Sequence, residues 1–297
     1  MRIFMTGASG WIGSAVVPEL HAAGHRIVGL ARSAESAAAL TAAGVEPLPG
    51  GIDDPDSLRA GVSDADGVVH LAFKHDFADY AGAGRTERAA VETLGAALAG
   101  SGRPLLIASG VAGLAAGKVA TEEDATRHIG PEAPRGGSEQ LALSYADRGV
   151  RAVAVRFAPS VHGHGDHGFV ATLAGIARER GVAGYIGDGT NRWPAVHRDD
   201  AARVVRLALE GAGPGSVVHA VGEEGIATRD IAAALGRRLD LPTASTAPDD
   251  AAEHFGWIAM FFGLDAPTSS RLTRERLGWA PAGPGLLDDI AAGAYDR

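Results

Sequence analysis

A short apolar run, Arg2–Met5, breaks into Thr6-Gly7-Ala8-Ser9-Gly10-Trp11-Ile12-Gly13, and an amphipathic stretch, Trp11–Ala23, carries on from the turn. A buried strand, a glycine-rich turn and a helix in direct succession leave the chain few folds to choose from. Gly7 permits the tight turn, Gly10 lets the backbone come close to a diphosphate, and Gly13 lets the helix pack close on the sheet. The helix N-terminus offers unpaired N–H groups and the positive end of its dipole to the phosphates. The turn predicts a dinucleotide-binding βαβ start, with Gly7, Ser9, Gly10, Trp11 and Ile12 against the cofactor.

The first half of the chain repeats the alternation. Arg26–Leu30, Val45–Leu48, Gly67–Leu71, Pro104–Ala108 and Arg151–Val155 read as buried strands, with helices at Ala34–Ala43, Pro55–Gly61, Arg85–Ala99 and Gly136–Arg148. This spacing implies a doubly wound parallel sheet. Asp199–Leu209 reads as a further helix and Val217–Ala220 as a further strand. The second half is less regular. Residues 163–168 and 184–192 read as glycine-rich loops, Thr228–Leu239 as a helix with Thr228 at its N-cap, and the chain from Pro242 onward as helices separated by Pro and Gly. Residues 1–161 with 194–224 are expected to form the dinucleotide-binding domain. Residues 162–193 with 225–297 are expected to form a smaller, C-terminal, substrate-covering part.

Composition narrows the partners. Of 297 residues, 46% are apolar and 21% charged, as in an ordinary globular chain. The net charge of −9 disfavours nucleic acid, whose phosphates reward clustered Lys and Arg. Cysteine is absent, so disulfides, thiolate metal sites and thiol nucleophiles are excluded and a reducing cytoplasm is the expected compartment. No apolar run has the length of a membrane span, and Met1–Met5 runs into the turn without the apolar core of a signal peptide. A small-molecule partner is expected, with no membrane contact. Self-association as a homodimer is left open.

The second strand ends in Ala31-Arg32-Ser33. A carboxylate there would grip the ribose 2′-hydroxyl of NAD, whereas a cation and a hydroxyl suit the 2′-phosphate of NADP, the expected cofactor. Asp53 either accepts from the adenine amino group or caps the helix at Pro55. Leu71, Ala72 and Phe73 end the fourth strand where apolar backbone flanks the ribose.

These residues resemble the short-chain dehydrogenase/reductase superfamily, its extended branch above all, over nearly the whole chain. TGASGWIG at 6–13 is similar to the branch's TGxxGxxG fingerprint. Arg156-Phe-Ala-Pro-Ser-Val-His-Gly163 resembles its R-x-x-x-V-Y-G stretch, which implies that Pro159, Ser160 and Val161 border the nicotinamide. Pro194–Ala202 resembles F-V-H-V-D-D-V-A, and Thr273–Pro281 resembles K-x-x-x-L-G-W-x-P. The resemblance implies a Rossmann fold and a nicotinamide cofactor. The family's Tyr-x-x-x-Lys pair is missing: the two lysines, Lys74 and Lys118, follow His70 and Leu114 by four residues. Anchoring Glu139 to the family's downstream glutamate puts Pro131 at the tyrosine position and Arg135 at the lysine position. Tyr145 reads as a packing residue. The pattern looks like the atypical reductases of the family.

Chemistry without that pair falls to three candidates. Arg135 can hold the ribose or polarise a carbonyl, but its pKa is too high for an acid. Ser109, beside Gly110 after the fifth strand, can donate one hydrogen bond. His162, first of the cluster His162-Gly-His164-Gly-Asp166-His167, can give a proton near neutral pH. A metal role for this cluster is set aside because its spacing is not helical and its glycine loop is poorly preorganised. His75 and Asp76 are expected at the same end of the sheet, with Tyr185 and Trp193 either lining the substrate or in the core. The expected function is NADP(H)-dependent reduction of a carbonyl, or an imine, in a small to medium apolar molecule. A redox-silent NADP-binding protein and an isomerase, epimerase or lyase using bound cofactor are the alternatives.

Overall fold

In the computed structural model, which describes residues 1–74, 79–115 and 117–296, strands and helices alternate through the first half of the chain. They run β1 (Arg2–Thr6), α1 (Gly13–Ala22), β2 (Arg26–Ala31), α2 (Ala34–Ala42), β3 (Glu46–Pro49), α3 (Pro55–Ser63), β4 (Gly67–His70), α4 (Tyr80–Leu98), β5 (Pro104–Gly110), α5 (Ser138–Ser144) and β6 (Arg151–Phe157). The second half adds β7 (Ser160–His162), α6 (Phe169–Arg180), β8 (Ala183–Ile186), β9 (Arg192–His197), α7 (Arg198–Gly211), β10 (Ser216–Ala220), β11 (Glu223–Ala227) and α8 (Thr228–Leu239). It ends with β12 (Thr243–Thr246), α9 (Ala251–Phe255), α10 (Ala259–Phe262), α11 (Arg271–Leu277) and α12 (Leu286–Ala291).

The chain divides into two compact units. The first comprises Met1–Ser109, Thr126–Arg156 and Ala202–Val218. Its sheet has the order β3-β2-β1-β4-β5-β6-β10, the parallel α/β architecture expected. Strand order reverses between β1 and β4, and ligands of such sheets bind outside the carboxyl ends of the strands at that switch point. Central strands of a parallel sheet are covered on both faces, which explains runs such as Ile3-Phe4-Met5 and Leu105-Leu106-Ile107, all with no exposure. Pro47 and Pro49 lie in β3, an edge strand, where a missing N–H is tolerated. Phe4, Leu58, Val91, Leu94, Leu98, Leu105 and Tyr145 form the core of this unit.

Several helix ends and caps differ from the sequence expectation. α4 starts five residues earlier than its periodicity suggested, because Asp79 caps it by accepting from the Gly82 N–H at 2.9 Å. α3 is capped by Asp54 rather than Asp53. The helix expected from Gly136 begins only at Ser138, because Arg135, Gly136 and Gly137 take φ of 55°, 60° and 61° in a left-handed turn.

The second unit comprises Gly110–Ala125, Phe157–Ala201 and His219–Arg297. It holds a three-stranded sheet, β11-β9-β7, and a parallel pair, β12-β8. The loop expected over 184–192 and the helix expected after Pro242 are corrected here: β8 and β12 pair with each other along their length. Thr228 is the first helical residue of α8 and not its cap; its hydroxyl donates to Asn191 Oδ1 at 2.6 Å. No described helix is long and apolar enough to cross a membrane.

Candidate functional site

The turn after β1 is built by exclusion of side chains. Gly7 has φ +73°, and a Cβ on it would stand 2.7 Å from Ala72 N and 2.9 Å from Leu71 C, so the turn lies directly against the end of β4. A Cβ on Gly13 would stand 2.0 Å from Gly7 O, so only glycine lets α1 start this close to the turn. No side chain caps the N-terminus of α1. Ser9 and Gly10 are exposed and Trp11 and Ile12 half-buried, which leaves a bare cradle facing outward at the switch point. That cradle fits a dinucleotide diphosphate, with backbone N–H groups and the helix dipole as donors.

At the end of β2, Arg32 is exposed. Ser33 is engaged as the N-cap of α2: its hydroxyl accepts from the Ser36 N–H at 3.1 Å, and Ser36 Oγ accepts in turn from the Ser33 N–H. Its cap role is a second use of a residue expected to bind phosphate. Asp53 pairs with Lys74 at 2.8 Å, and that ammonium holds the carboxyl below its ordinary range.

At the end of β4, Thr6 Oγ1 accepts from the Ala72 N–H at 3.2 Å and meets His70 Nδ1 at 2.7 Å. His70 is fully buried; desolvation first, and the Arg135 charge second, lower its pKa to about 4. Leu71, Ala72 and Phe73 are half-buried. The Arg135 guanidinium lies 4.6 Å above the centre of the Phe73 ring, and Tyr80, first residue of α4, packs edge-on against that ring at 5.8 Å. Arg135 Nε donates to Glu87 Oε2 at 2.8 Å and Nη2 donates to Glu87 Oε1. Burial opposes the guanidinium charge, but the Glu87 carboxylate outweighs it and holds the pKa above the ordinary value. Glu87 and Tyr80 were not found by sequence reasoning, since Glu87 meets Arg135 across 48 positions of chain.

Ser109, near the end of β5, donates to Glu139 Oε2 at 2.5 Å. Glu139 also accepts a forked pair from Arg156, whose Nη2 lies 2.6 Å from Oε1; Arg156 and Glu139 are both buried. Tyr145 is 3% exposed and donates to the Glu92 carbonyl at 3.1 Å, as a packing residue does. His75 and Asp76 lie outside the described residues.

In the second unit, β7 carries Ser160, Val161 and His162, all buried, after a half-buried Pro159. His162 has no exposure; its Nδ1 is 2.6 Å from Asp289 Oδ2 on α12, its Nε2 is 3.8 Å from Glu223 Oε2 on β11, and its ring meets His197 edge-on at 5.6 Å. His164 and His167 are exposed, so the three histidines do not converge, and no described cluster has the ligands to hold a metal ion. Asp166 bonds Gly168 N and the Tyr295 hydroxyl, and burial raises its pKa. Trp193 is 1% exposed and belongs to the core.

Comparison with known proteins follows the same lines. An uncharacterized protein of Schizosaccharomyces pombe is 48% identical over 99% of this chain and 100% of its own length. The 2-alkyl-3-oxoalkanoate reductase of Stenotrophomonas maltophilia is 28% identical over 73% of this chain and 67% of its own. The dTDP-glucose 4,6-dehydratase of Streptomyces venezuelae, solved as a double mutant with NAD bound, superposes with a TM-score of 0.76 at 20% identity, covering 99% of this chain and 96% of that one. The sequence pattern of the NAD dependent epimerase/dehydratase family matches residues 3–221, and the chain belongs to that family.

Proposed function

We propose that this chain is an NADP(H)-dependent reductase acting on a carbonyl, or an imine, of a small to medium apolar molecule. One observation carries the reading: a charged guanidinium, Arg135, is held by a buried carboxylate at the carboxyl edge of the sheet, beside the glycine cradle, in a chain without the family's tyrosine–lysine pair. The name of the Stenotrophomonas relative, a reductase of oxoalkanoates, supports a ketone. The exposed Arg32 supports a 2′-phosphate on the adenosine side.

The cradle from Gly7 to Ile12 would hold the diphosphate, Arg32 the 2′-phosphate, and Leu71–Phe73 the ribose flank. When bound, the reduced dinucleotide supplies a hydride equivalent to the carbonyl carbon. Arg135 donates to the carbonyl oxygen and stabilises the negative charge that develops there. It keeps its own proton, since a guanidinium is too weak an acid. The proton that neutralises the oxygen would come from the Tyr80 phenol, whose ring packs edge-on against Phe73, the ring that carries the Arg135 guanidinium, and water would restore it. The Ser109 hydroxyl is turned toward Glu139, so Ser109 offers an oxygen rather than a proton. No proton is routed through His162, which is enclosed.

The test is consumption of NADPH and NADH with a panel of ketones, aldehydes and cyclic imines. Steady NADPH oxidation with a ketone is the expected result. Arg32→Ala should weaken NADPH binding by about 10–100-fold and leave NADH nearly untouched. Equal losses for both cofactors would overturn the NADP assignment. Tight binding without turnover would favour a redox-silent binder, and product formed without net cofactor change would favour an isomerase or epimerase.

A further inference from the structure

We infer that Glu87 is a positioning residue that presents the free edge of the Arg135 guanidinium to the nicotinamide half of the dinucleotide. The inference rests on the proposal that the first unit binds such a cofactor.

Glu87 lies on α4 with 1% exposure, and Arg135 is its cation partner. Burying an ion pair costs desolvation that an apolar contact of the same volume avoids, so as a mere fastener for the loop it is a poor device. The loop is already fastened. Arg88 Nη1 donates to the Gly136 carbonyl at 2.8 Å, and a Cβ on Gly84 would stand 2.8 Å from Gly136 N and 3.2 Å from Arg135 Cα. The ion pair instead fixes a direction. Arg135 holds a left-handed backbone, φ 55° and ψ 27°, which is uncommon for a side chain of its size. Two fork atoms, Nε and Nη2, are taken by the two oxygens of Glu87, and one face of the plane rests on Phe73. With the plane fixed at two points and one face, Nη1 has one direction left, and among the described residues it meets no acceptor. The side chain keeps 26% exposure, and Nη1 is the part of the fork that Glu87 does not hold.

The position of the edge follows from contacts within the unit. Phe73 continues Leu71 and Ala72, whose backbone lies against Gly7 of the cradle. β4 and β2 flank β1 on opposite sides. A dinucleotide whose diphosphate sits on the β1 turn lays one nucleoside over β2 and the other over β4. With the adenosine over Arg32 at the end of β2, the nicotinamide riboside falls on the Arg135 side. Its hydroxyls and carboxamide oxygen are acceptors for one N–H of Nη1, and the second N–H of that nitrogen is left for the substrate oxygen.

The test needs no substrate. The folded full-length protein is titrated calorimetrically with NADPH and with adenosine 2′,5′-bisphosphate, which lacks the nicotinamide half. Wild type should bind both. Glu87→Gln should weaken NADPH by about tenfold and leave the bisphosphate within about twofold. Arg135→Met should show the same selective loss, and Glu87→Gln added to it should change nothing further. Arg135→Lys, which keeps the charge without the fork, should match Arg135→Met and serves where Glu87→Gln does not fold. Loss of both probes together in Glu87→Gln, retention of both, or an additive double variant would overturn the inference while leaving the dinucleotide reading intact. A wild type that binds neither probe would overturn both.

Discussion

Thr6 and His70 meet beneath the cradle with neither side chain exposed, and that burial has a measurable consequence. The folded His70 takes up its proton only at about pH 4, whereas the unfolded residue does so near its ordinary 6.5. Between those values the unfolded state binds more protons, so stability rises with pH across this window and is lost as the pH falls through it. The contribution is up to about 3 kcal/mol at the acid end. Urea unfolding of wild type and His70→Gln at pH 7.5 and pH 4.5 should show a smaller acid loss in the variant; parallel losses would place the acid sensitivity elsewhere. The same scale decides between two phenols. Tyr80→Phe should cut ketone reduction by about 10²–10⁴-fold with NADPH affinity kept, as loss of a proton donor does. Tyr145→Phe, which loses only a bond to the Glu92 carbonyl, should stay within about threefold. The reverse order in turnover would reassign the donor.

At the scale of elements, legibility followed how locally each feature is encoded. Strands covered on both faces are continuous apolar runs, so β1, β2, β4, β5 and β6 stand out in the sequence. β8 and β12, Ala-Gly-Tyr-Ile and Thr-Ala-Ser-Thr, are short and carry no such run; they are strands because each pairs with the other, 60 positions away in register. The Gly136-Gly137 pair was the one signal that the helix could not begin at 136, and Pro134 before it agrees with a turn. Glu87 carries no local signal of its role, because nothing near it announces Arg135, and nothing local pairs Glu139 with Arg156. The packing of α4 on the chain after α5 is equally non-local and gives a prediction. A Cβ on Gly95 would stand 2.5 Å from the Tyr145 ring. Alanine gains about 1 kcal/mol of helix propensity there, but overpacking costs about 1–3 kcal/mol, so Gly95→Ala should be net destabilising. Tyr145→Leu in the same chain should recover part of the loss in a urea melt. A more stable Gly95→Ala would mean that the ring moves aside freely.

The whole chain passes between its two units several times, and each unit is assembled from three separated segments. The first unit therefore cannot be obtained by cutting the chain once. A fragment of residues 1–156 keeps the cradle, Arg32, Glu87, Arg135 and Glu139, yet it lacks β10, which closes the sheet beside β6, and the part of α7 that covers it. Val204, Val205, Ala208 and Leu209 on that helix are fully buried. Arg206 pairs with Glu19 at 3.0 Å, and Arg151 donates to the Leu209 carbonyl at 2.8 Å, so the lost helix also leaves polar partners unmet. The four missing side chains would leave apolar surface exposed, at about 1–3 kcal/mol each for the larger ones, which is comparable to the whole stability of a domain. The fragment should show helical far-ultraviolet dichroism without a cooperative urea transition, should bind hydrophobic dye, and should fail to bind NADPH, although its sequence holds most of the proposed cofactor contacts. Adding residues 202–218 through a short flexible linker to the fragment should bring cooperativity back. A cooperative transition and NADPH binding by residues 1–156 alone would show that the sheet does not depend on its late-arriving strand.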